Sequence, residues 1–298
     1  MTTSLQTATN GTTAAEPSRL HPATQLGAVN LTVSNLDQSL GFYQDVLGFQ
    51  VQERAGDTAY LGAGRTPFVV LTEVPGARYV ANRSGLYHFA VLTPSRLALA
   101  RSLRRMIEAG VSIGGGDHLV SEAIYLSDPD GNGIEVYRDR PRSTWKYEHG
   151  HIKMDTLPLD YRGILAELDG DQTPWTGLDP ATVLGHMHLH VGDLAAAGKF
   201  YTEVVGFDFI LNYGGSAMFF SAGGYHHHLG ANTWAGVGAP PPPPNSAGLR
   251  YFEIQLVNVQ ELANLVDRLN AGGVTYEERD RDLFVRDPAQ NGVLFKTT

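Results

Sequence analysis

Cysteine is absent from all 298 residues. That removes a disulfide framework, a thiolate metal site and a cysteine nucleophile, and it suits a chain kept in a reducing cytoplasm. Basic side chains are outnumbered too: 22 Lys and Arg against 31 Asp and Glu leave a net charge of -9. Such a balance argues against nucleic acid or an anionic membrane surface as a partner. No apolar run reaches the ~18 residues of a membrane span, so none is expected. The opening "MTTSLQTATNGTTAAEPSRL" lacks the basic start and apolar centre of a secretion signal. It is polar and rich in threonine, and residues 1–22 read as a flexible tail. What remains is chain enough for two domains, with 42% hydrophobic residues to fill their cores.

Internal repetition organises that remainder. Leu26–Phe49, "LGAVNLTVSNLDQSLGFYQDVLGF", returns as Leu184–Phe207, "LGHMHLHVGDLAAAGKFYTEVVGF". A second kind of segment, "GLYHFAVLTPSRLALARSLRRMIEAGV" followed by "YLSDPDGNGIEVY", is echoed by "GLRYFEIQLVNVQELANLVDRLNAGGV" and "FVRDPAQNGVLF". The chain is two homologous halves of two related modules each. Residues 23–140 make the first domain, 141–181 a connector and 182–298 the second domain. Each module opens on a strand: in "HMHLHV", Met187, Leu189 and Val191 share one face, His186, His188 and His190 the other. A helix follows, with Asp193 placed as an N-cap, apolar spacing at Phe200, Val204 and Val205, and Gly206 where a C-cap is wanted. About three short strands complete the module. The predicted class is α+β, with the apolar face of each sheet on its helix and the polar face concave.

Two further segments have local readings. "YRGILAEL" (Tyr161–Leu168) predicts a short helix in the connector, which over this length carries a lid or packing role. "APPPPPNS" (Ala239–Ser246) predicts a stiff polyproline bridge between modules three and four.

Paired modules with "FYQDVLGF" and "DPDGNGIE" resemble the vicinal oxygen chelate superfamily from Leu26 to the end of the chain. More narrowly, "GLYHFAVL", "SEAIYLSDPDGNGIEVY", "RPRSTW", "GHMHLHV" and "GYHHHLGANTW" resemble two-domain extradiol catechol 2,3-dioxygenases. The resemblance implies four βαβββ modules forming two glyoxalase/extradiol-dioxygenase-like domains. It also implies a metal on a concave face, held by first-strand and last-strand residues of two paired modules. The first-strand positions are Ala28, His88, His186 and Tyr251; the last-strand positions after "DPxxNG" are Glu135 and Leu294. Modules three and four together offer no ligand set, and modules one and two fall one ligand short. Modules two and three offer His88, Glu135 and His186, the two imidazoles and one carboxylate that suit non-haem Fe(II), with Mn(II) as the alternative ion. The second and third modules are therefore expected to close round one another, with the first and fourth outside as support. The same contact made between two chains of a homo-oligomer is the alternative.

Three consecutive histidines, His226, His227 and His228, stand in the last-strand region of module three. Alternation along a strand puts His226 and His228 on the pocket side and His227 on the other. Imidazole titrates near neutrality, so either of the first two suits an acid–base role, against a purely structural role for all three. Tyr125 lies ten residues before Glu135, where the resembled enzymes keep a tyrosine that hydrogen-bonds substrate. His118 lies on the loop entering that strand, where they keep a supporting histidine. His188, His190, Trp145 and Trp234 are lesser candidates for pocket walls. The activity implied is cleavage of a catechol by O₂ beside its hydroxyls, giving a 2-hydroxymuconic semialdehyde. The rivals are a glyoxalase-type metal-dependent isomerase or transferase, which predicts a fourth carboxylate ligand from module three, and a non-catalytic binder of small aromatics, which predicts an incomplete triad.

Overall fold

The computed structural model of the chain describes residues 19–297. Module one is β1 (Gln25–Val33), α1 (Leu36–Asp45), β2 (Gln50–Ala55), β3 (Thr58–Gly62) and β4 (Val69–Glu73). Module two is β5 (Gly85–Leu92), α2 (Arg96–Glu108), β6 (Gly114–Asp117), β7 (Ser121–Ser127) and β8 (Gly133–Asp139). The connector holds a 3₁₀ turn (Arg142–Thr144), a small hairpin of β9 (Tyr147–Glu148) and β10 (His151–Ile152), and α3 (Tyr161–Ala166). Module three is β11 (Val183–His190), α4 (Leu194–Lys199) continuing as a π-helical turn (Phe200–Val205), β12 (Asp208–Tyr213), β13 (Ala217–Ser221) and β14 (Leu229–Asn232). Module four is β15 (Gly248–Leu256), α5 (Val259–Ala271), β16 (Tyr276–Arg279), β17 (Asp282–Arg286) and β18 (Gly292–Thr297). Each module is thus one strand, one helix and three strands. The four module helices all begin the same way: Asn35, Ser95, Asp193 and Asn258 each accept a hydrogen bond from the backbone N–H three residues on. None of the helices among the described residues is long and apolar enough to cross a membrane.

The strands form two eight-stranded sheets, ordered β16-β17-β18-β15-β1-β4-β3-β2 and β12-β13-β14-β11-β5-β8-β7-β6. Each sheet takes one module from each half of the sequence, joined by antiparallel pairing of first strands, β1 with β15 and β5 with β11. Modules two and three therefore share one hollow. Modules one and four are joined to each other in an equal second sheet rather than standing apart as supports.

The "FY" and "DP" motifs tie the two sheets together. The Tyr43 hydroxyl donates to Asp128 Oδ2 (3.1 Å), and the Tyr201 hydroxyl donates to Asp287 Oδ2 (2.9 Å). Each buried aspartate also accepts from the Asn132 or Asn291 amide that follows it, so the "DPxxNG" turn is closed around a fully used carboxylate. Apolar residues of the first strands, such as Val29, Leu31, Phe89, Met187 and Leu189, join Tyr43 and Tyr201 in one core. Of the tail, residues 1–18 lie outside the described residues. Its last part is docked: Leu20 is buried and its backbone N–H bonds Gly206.

Register irregularities decide where the first-strand side chains point. On β11 the pairing skips Gly185 between Leu184 and His186, and on β5 it skips Tyr87 between Leu86 and His88. These single extra residues are bulges, which re-aim neighbouring side chains. A Cβ at Gly185 would overlap the Tyr137 hydroxyl and stand 2.9 Å from Leu92 Cβ. Tyr137 is fully buried and bonded to the Tyr225 hydroxyl at 2.7 Å, so it has nowhere to retreat.

Gly185→Ala is expected to lower unfolding free energy by about 1–3 kcal/mol through overpacking. Gly41→Ala, in α1 where a Cβ meets nothing within 4 Å, is expected to raise it by about 0.5–1 kcal/mol. Urea midpoints at constant m-value check both; a neutral Gly185→Ala would remove the bulge from this account.

Candidate metal centre

Three side chains from three strands converge at the floor of the β5–β11 hollow. His88 Nε2 lies 3.0 Å from Glu135 Oε2, His186 Nε2 lies 3.1 Å from the same oxygen, and the two Nε2 atoms are 3.3 Å apart. All three residues are buried, and they form the one such cluster of potential metal ligands among the described residues. Burial alone would keep Glu135 protonated, but His186 and His88 outweigh it and hold the carboxyl well below its usual range. Burial lowers the His186 imidazole to about 4, so it is neutral at neutral pH, the form that ligates metal. His186 Nδ1 is buried with no hydrogen-bond partner among the described residues. Its ring is placed by packing instead, against His227 (4.1 Å between centroids) and Tyr137 (4.8 Å). Two imidazoles and one carboxylate, aimed at a common point, fit a divalent ion of the Fe(II) or Mn(II) type.

Sheet register identifies the equivalent positions in the other modules. Glu135 on β8 lies opposite Ala90, two residues after His88. By the same count the last-strand position is Gly230 in module three, opposite His188; Leu294 in module four, opposite Glu253; and Val70 in module one, opposite Asn30. The second sheet thus presents Ala28, Tyr251, Leu294 and Val70 where a metal would need donors. In the first sheet the fourth position is a glycine. A Cβ at Gly230 would stand 2.9 Å from His188 Cγ and Cδ2, so the His188 ring occupies the space a longer residue there would need.

A cavity of about 300 Å³ opens above the triad. On one wall Tyr125 pairs with Glu135 across β7 and β8. Its hydroxyl is 2.6 Å from His118 Nε2, and His118 Nδ1 is 3.0 Å from the Asp155 carbonyl. A carbonyl only accepts, so His118 Nδ1 carries a proton; a ring with that one proton takes the Tyr125 O–H at Nε2. The connector contributes Met154, Asp155 and Thr156 to the rim, which gives that segment its wall-forming role.

The opposite wall departs from the sequence reading. His227, not His226 or His228, lines this cavity. Alternation does not apply, because the three histidines precede β14 and follow a bend at Gly223 and Gly224, whose φ angles are 62° and 68°. His226 is turned inward, with Nε2 2.8 Å from Asp139 Oδ1 and Nδ1 2.8 Å from His227 Nδ1. Asp139 accepts from His226 Nε2–H, and a His226 ring with that one proton accepts at Nδ1 from His227 Nδ1–H. His227 Nε2 is then the bare nitrogen. His228 faces away: its Nδ1 accepts from the Ala222 backbone at 3.2 Å and lies 3.1 Å from Ser221 Oγ. Trp145 packs behind His226 (5.5 Å), while Trp234 stands at the cavity mouth and Tyr87 beside it. His190 is held by Asn232 (2.7 Å) outside this cavity. Tyr87, Phe219 and Asp139 were not candidates from the sequence. Only the Gly223–Gly224 pair gave a usable signal, since two glycines mark a bend rather than a strand.

Residues 25–136 and 183–294 match the model of the Glyoxalase/Bleomycin resistance protein/Dioxygenase superfamily. The chain is 48% identical over 280 residues to a catechol-2,3-dioxygenase of Bacillus subtilis (strain 168), an alignment covering 92% of this chain and 98% of that protein. Among solved structures, a Bacillus subtilis protein superposes with a TM-score of 0.64 at 13% identity, covering 94% of this chain and 86% of its own. Glyoxalase I from Zea mays superposes with a TM-score of 0.54 at 16% identity, covering 92% of each chain. At such identities the structural likeness speaks to the fold alone.

Burial, aided by the neighbouring His226 and His186, lowers the His228 imidazole to about 3. Unfolded, it takes up a proton near its ordinary value of about 6.5. Unfolding therefore binds protons between those values, and stability present above about pH 6.5 is lost as pH falls. The metal-free protein is expected to lose roughly 2 kcal/mol through His228 alone between pH 6.5 and pH 5. Urea unfolding at a series of pH values checks this: the pH slope should be shallower by about one proton in His228→Gln, and an unchanged slope would contradict it.

Proposed function

Because the chain belongs to the Glyoxalase/Bleomycin resistance protein/Dioxygenase superfamily, we propose that it is an Fe(II)-dependent extradiol dioxygenase that converts a catechol and O₂ into a 2-hydroxymuconic semialdehyde. The observation that carries this reading is three donors, His88, Glu135 and His186, at one point with Gly230 at the fourth register position. A three-donor site leaves room for two reactants together, whereas the isomerase rival needs a carboxylate where this chain has glycine. The identity to a catechol-2,3-dioxygenase over nearly the whole chain supports the same reaction. The non-catalytic rival has no use for a complete triad.

A divalent iron held by these residues would supply a common site for the catechol oxygens and O₂ and a route for electrons from ring to oxygen. Mn(II) is the alternative occupant. The protein's own contribution is orientation and proton handling. Tyr125, its O–H turned to His118, offers an oxygen lone pair to one catechol hydroxyl. His227 Nε2, left bare by the Asp139–His226 relay, accepts a hydroxyl proton and returns it as the ring carbons part. Aromatic walls exclude bulk water, so the reactive stage proceeds away from solvent. Both atoms of O₂ end in the product, and no external reductant is consumed.

Anaerobic loading with Fe(II), followed by catechol and air, is expected to give the yellow ring-opened product. His186→Ala and Glu135→Ala, each checked for native circular dichroism, are expected to reduce turnover by at least 10³-fold together with bound iron. His227→Gln should keep the iron but lower kcat by about 10²–10⁴-fold, the usual span for a positioned acid–base group. No ring-opened product despite bound iron would end this proposal and bring the isomerase reading forward.

A further inference from the structure

The ring-cleavage reading leaves the substituents of the catechol open, and the walls of the 300 Å³ cavity bear on them. Among the described residues its lining includes no lysine or arginine, and its carboxylates are Glu135 in the triad and Asp155 at the rim. Part of the lining is aromatic. Tyr87 and Trp234 meet edge to face at 5.1 Å, and His188 lies 5.1 Å from Tyr87, 5.3 Å from Trp234 and 5.5 Å from Phe219. Tyr87 and Trp234 remain 37% and 47% exposed, apolar area at the mouth that nothing among the described residues covers.

His188 completes this wall. It is 4% exposed, and its Nε2 is buried with no hydrogen-bond partner among the described residues. Three of its ring atoms, Cγ, Cδ2 and Nε2, lie 2.9, 2.9 and 3.1 Å from the point where Gly230 would carry a Cβ. Near-equal distances mean that the ring lies face-on over the glycine, a flat support rather than a charged arm. A substituent bearing a carboxylate would enter this space stripped of water, with no cation to meet it and Asp155 nearby. An alkyl or aryl substituent would instead cover the Tyr87–Trp234 edge and gain contact.

We propose that the cavity selects uncharged catechols carrying an apolar substituent, seated on the wall of Tyr87, His188 and Trp234, and rejects catechols with an anionic side chain. This rests on the ring-cleavage reading, and the test separates the two. With the Fe(II)-loaded full chain, kcat/KM is measured for catechol, 4-ethylcatechol, 3,4-dihydroxybenzoate and 3,4-dihydroxyphenylacetate. Quenching of tryptophan fluorescence, read anaerobically, gives Kd for the same four compounds.

The expected order puts 4-ethylcatechol at or above catechol, with both acids at least 100-fold lower in kcat/KM and weaker in Kd. Trp234→Ala should lower the ratio of 4-ethylcatechol to catechol about 10-fold. Trp234→Arg, at a half-exposed position that accommodates a long polar side chain, should raise the acids relative to catechol at least 10-fold. Acids turned over as well as the neutral compounds, or ratios unmoved by both Trp234 variants, would overturn the selectivity while leaving ring cleavage standing. Turnover of none of the four would remove the reading on which it rests.

Discussion

Antiparallel pairing of β5 with β11 is the contact on which the site depends. It brings together residues 98 positions apart in the chain, so that His88 and His186 place their Nε2 atoms 3.3 Å apart. Backbone hydrogen bonding alone would set the strands side by side with a regular alternation of faces. Two bulges in the pairing, at Gly185 and Tyr87, break that alternation and aim the two histidines at Glu135. The sheet thus supplies both the proximity and the direction, and neither side chain needs a long reach. Short reach matters here because a buried side chain held by its own strand loses little further entropy when it is used.

The second sheet is the internal control. β1 and β15 pair in the same antiparallel sense, with the same kind of irregularity beside Gly27. A Cβ at Gly27 would meet the Glu253 side chain, much as one at Gly185 would meet Tyr137. Yet its register positions carry Ala28, Tyr251, Leu294 and Val70, and the strands assemble all the same. The architecture is therefore indifferent to ligating side chains, and His88, Glu135 and His186 are not required by the fold. Their presence in one sheet of two is a statement about chemistry rather than packing.

Much of this was legible in the sequence because it rests on repetition. The module order followed from the return of "LG…FY…GF" and "DP…NG", whose structural content is now specific: a bulge glycine, a tyrosine hydroxyl and the buried carboxylate that accepts it. The pairing of module two with module three followed from the resemblance, which implies where ligands stand, once the sequence showed which of those positions lack a donor. His227 was not legible. Its direction depends on a two-glycine bend and on Asp139, 87 residues away from His226, and no periodicity encodes such a contact. Tyr87 was missed for a related reason, since a bulge places two adjacent residues on one side where alternation expects one. The part of the tail that packs was missed because Leu20 alone, in a polar stretch, carries no periodic signal.

The triad also poses an electrostatic problem that a divalent cation solves better than hydrogen bonding does. Glu135 is buried, and its carboxylate is held charged beside His88 and beside His186, whose imidazole burial keeps neutral. If both Nε2 atoms carry protons, the carboxylate is satisfied by two weak neutral donors. If both present lone pairs, three acceptors face each other within 3.3 Å, and that arrangement is repulsive unless a cation stands among them. Hydrogen bonding can hold the first state, but it leaves His186 Nδ1, now unprotonated, in an environment that offers it no donor. In the second state that same Nδ1 carries the proton, and the attraction of a dication for three donors far exceeds the cost of one unpaired N–H. The cluster is thus poorly matched to the acids and bases around it and well matched to a divalent ion, which is why a site so costly to bury belongs with metal chemistry and not with core packing.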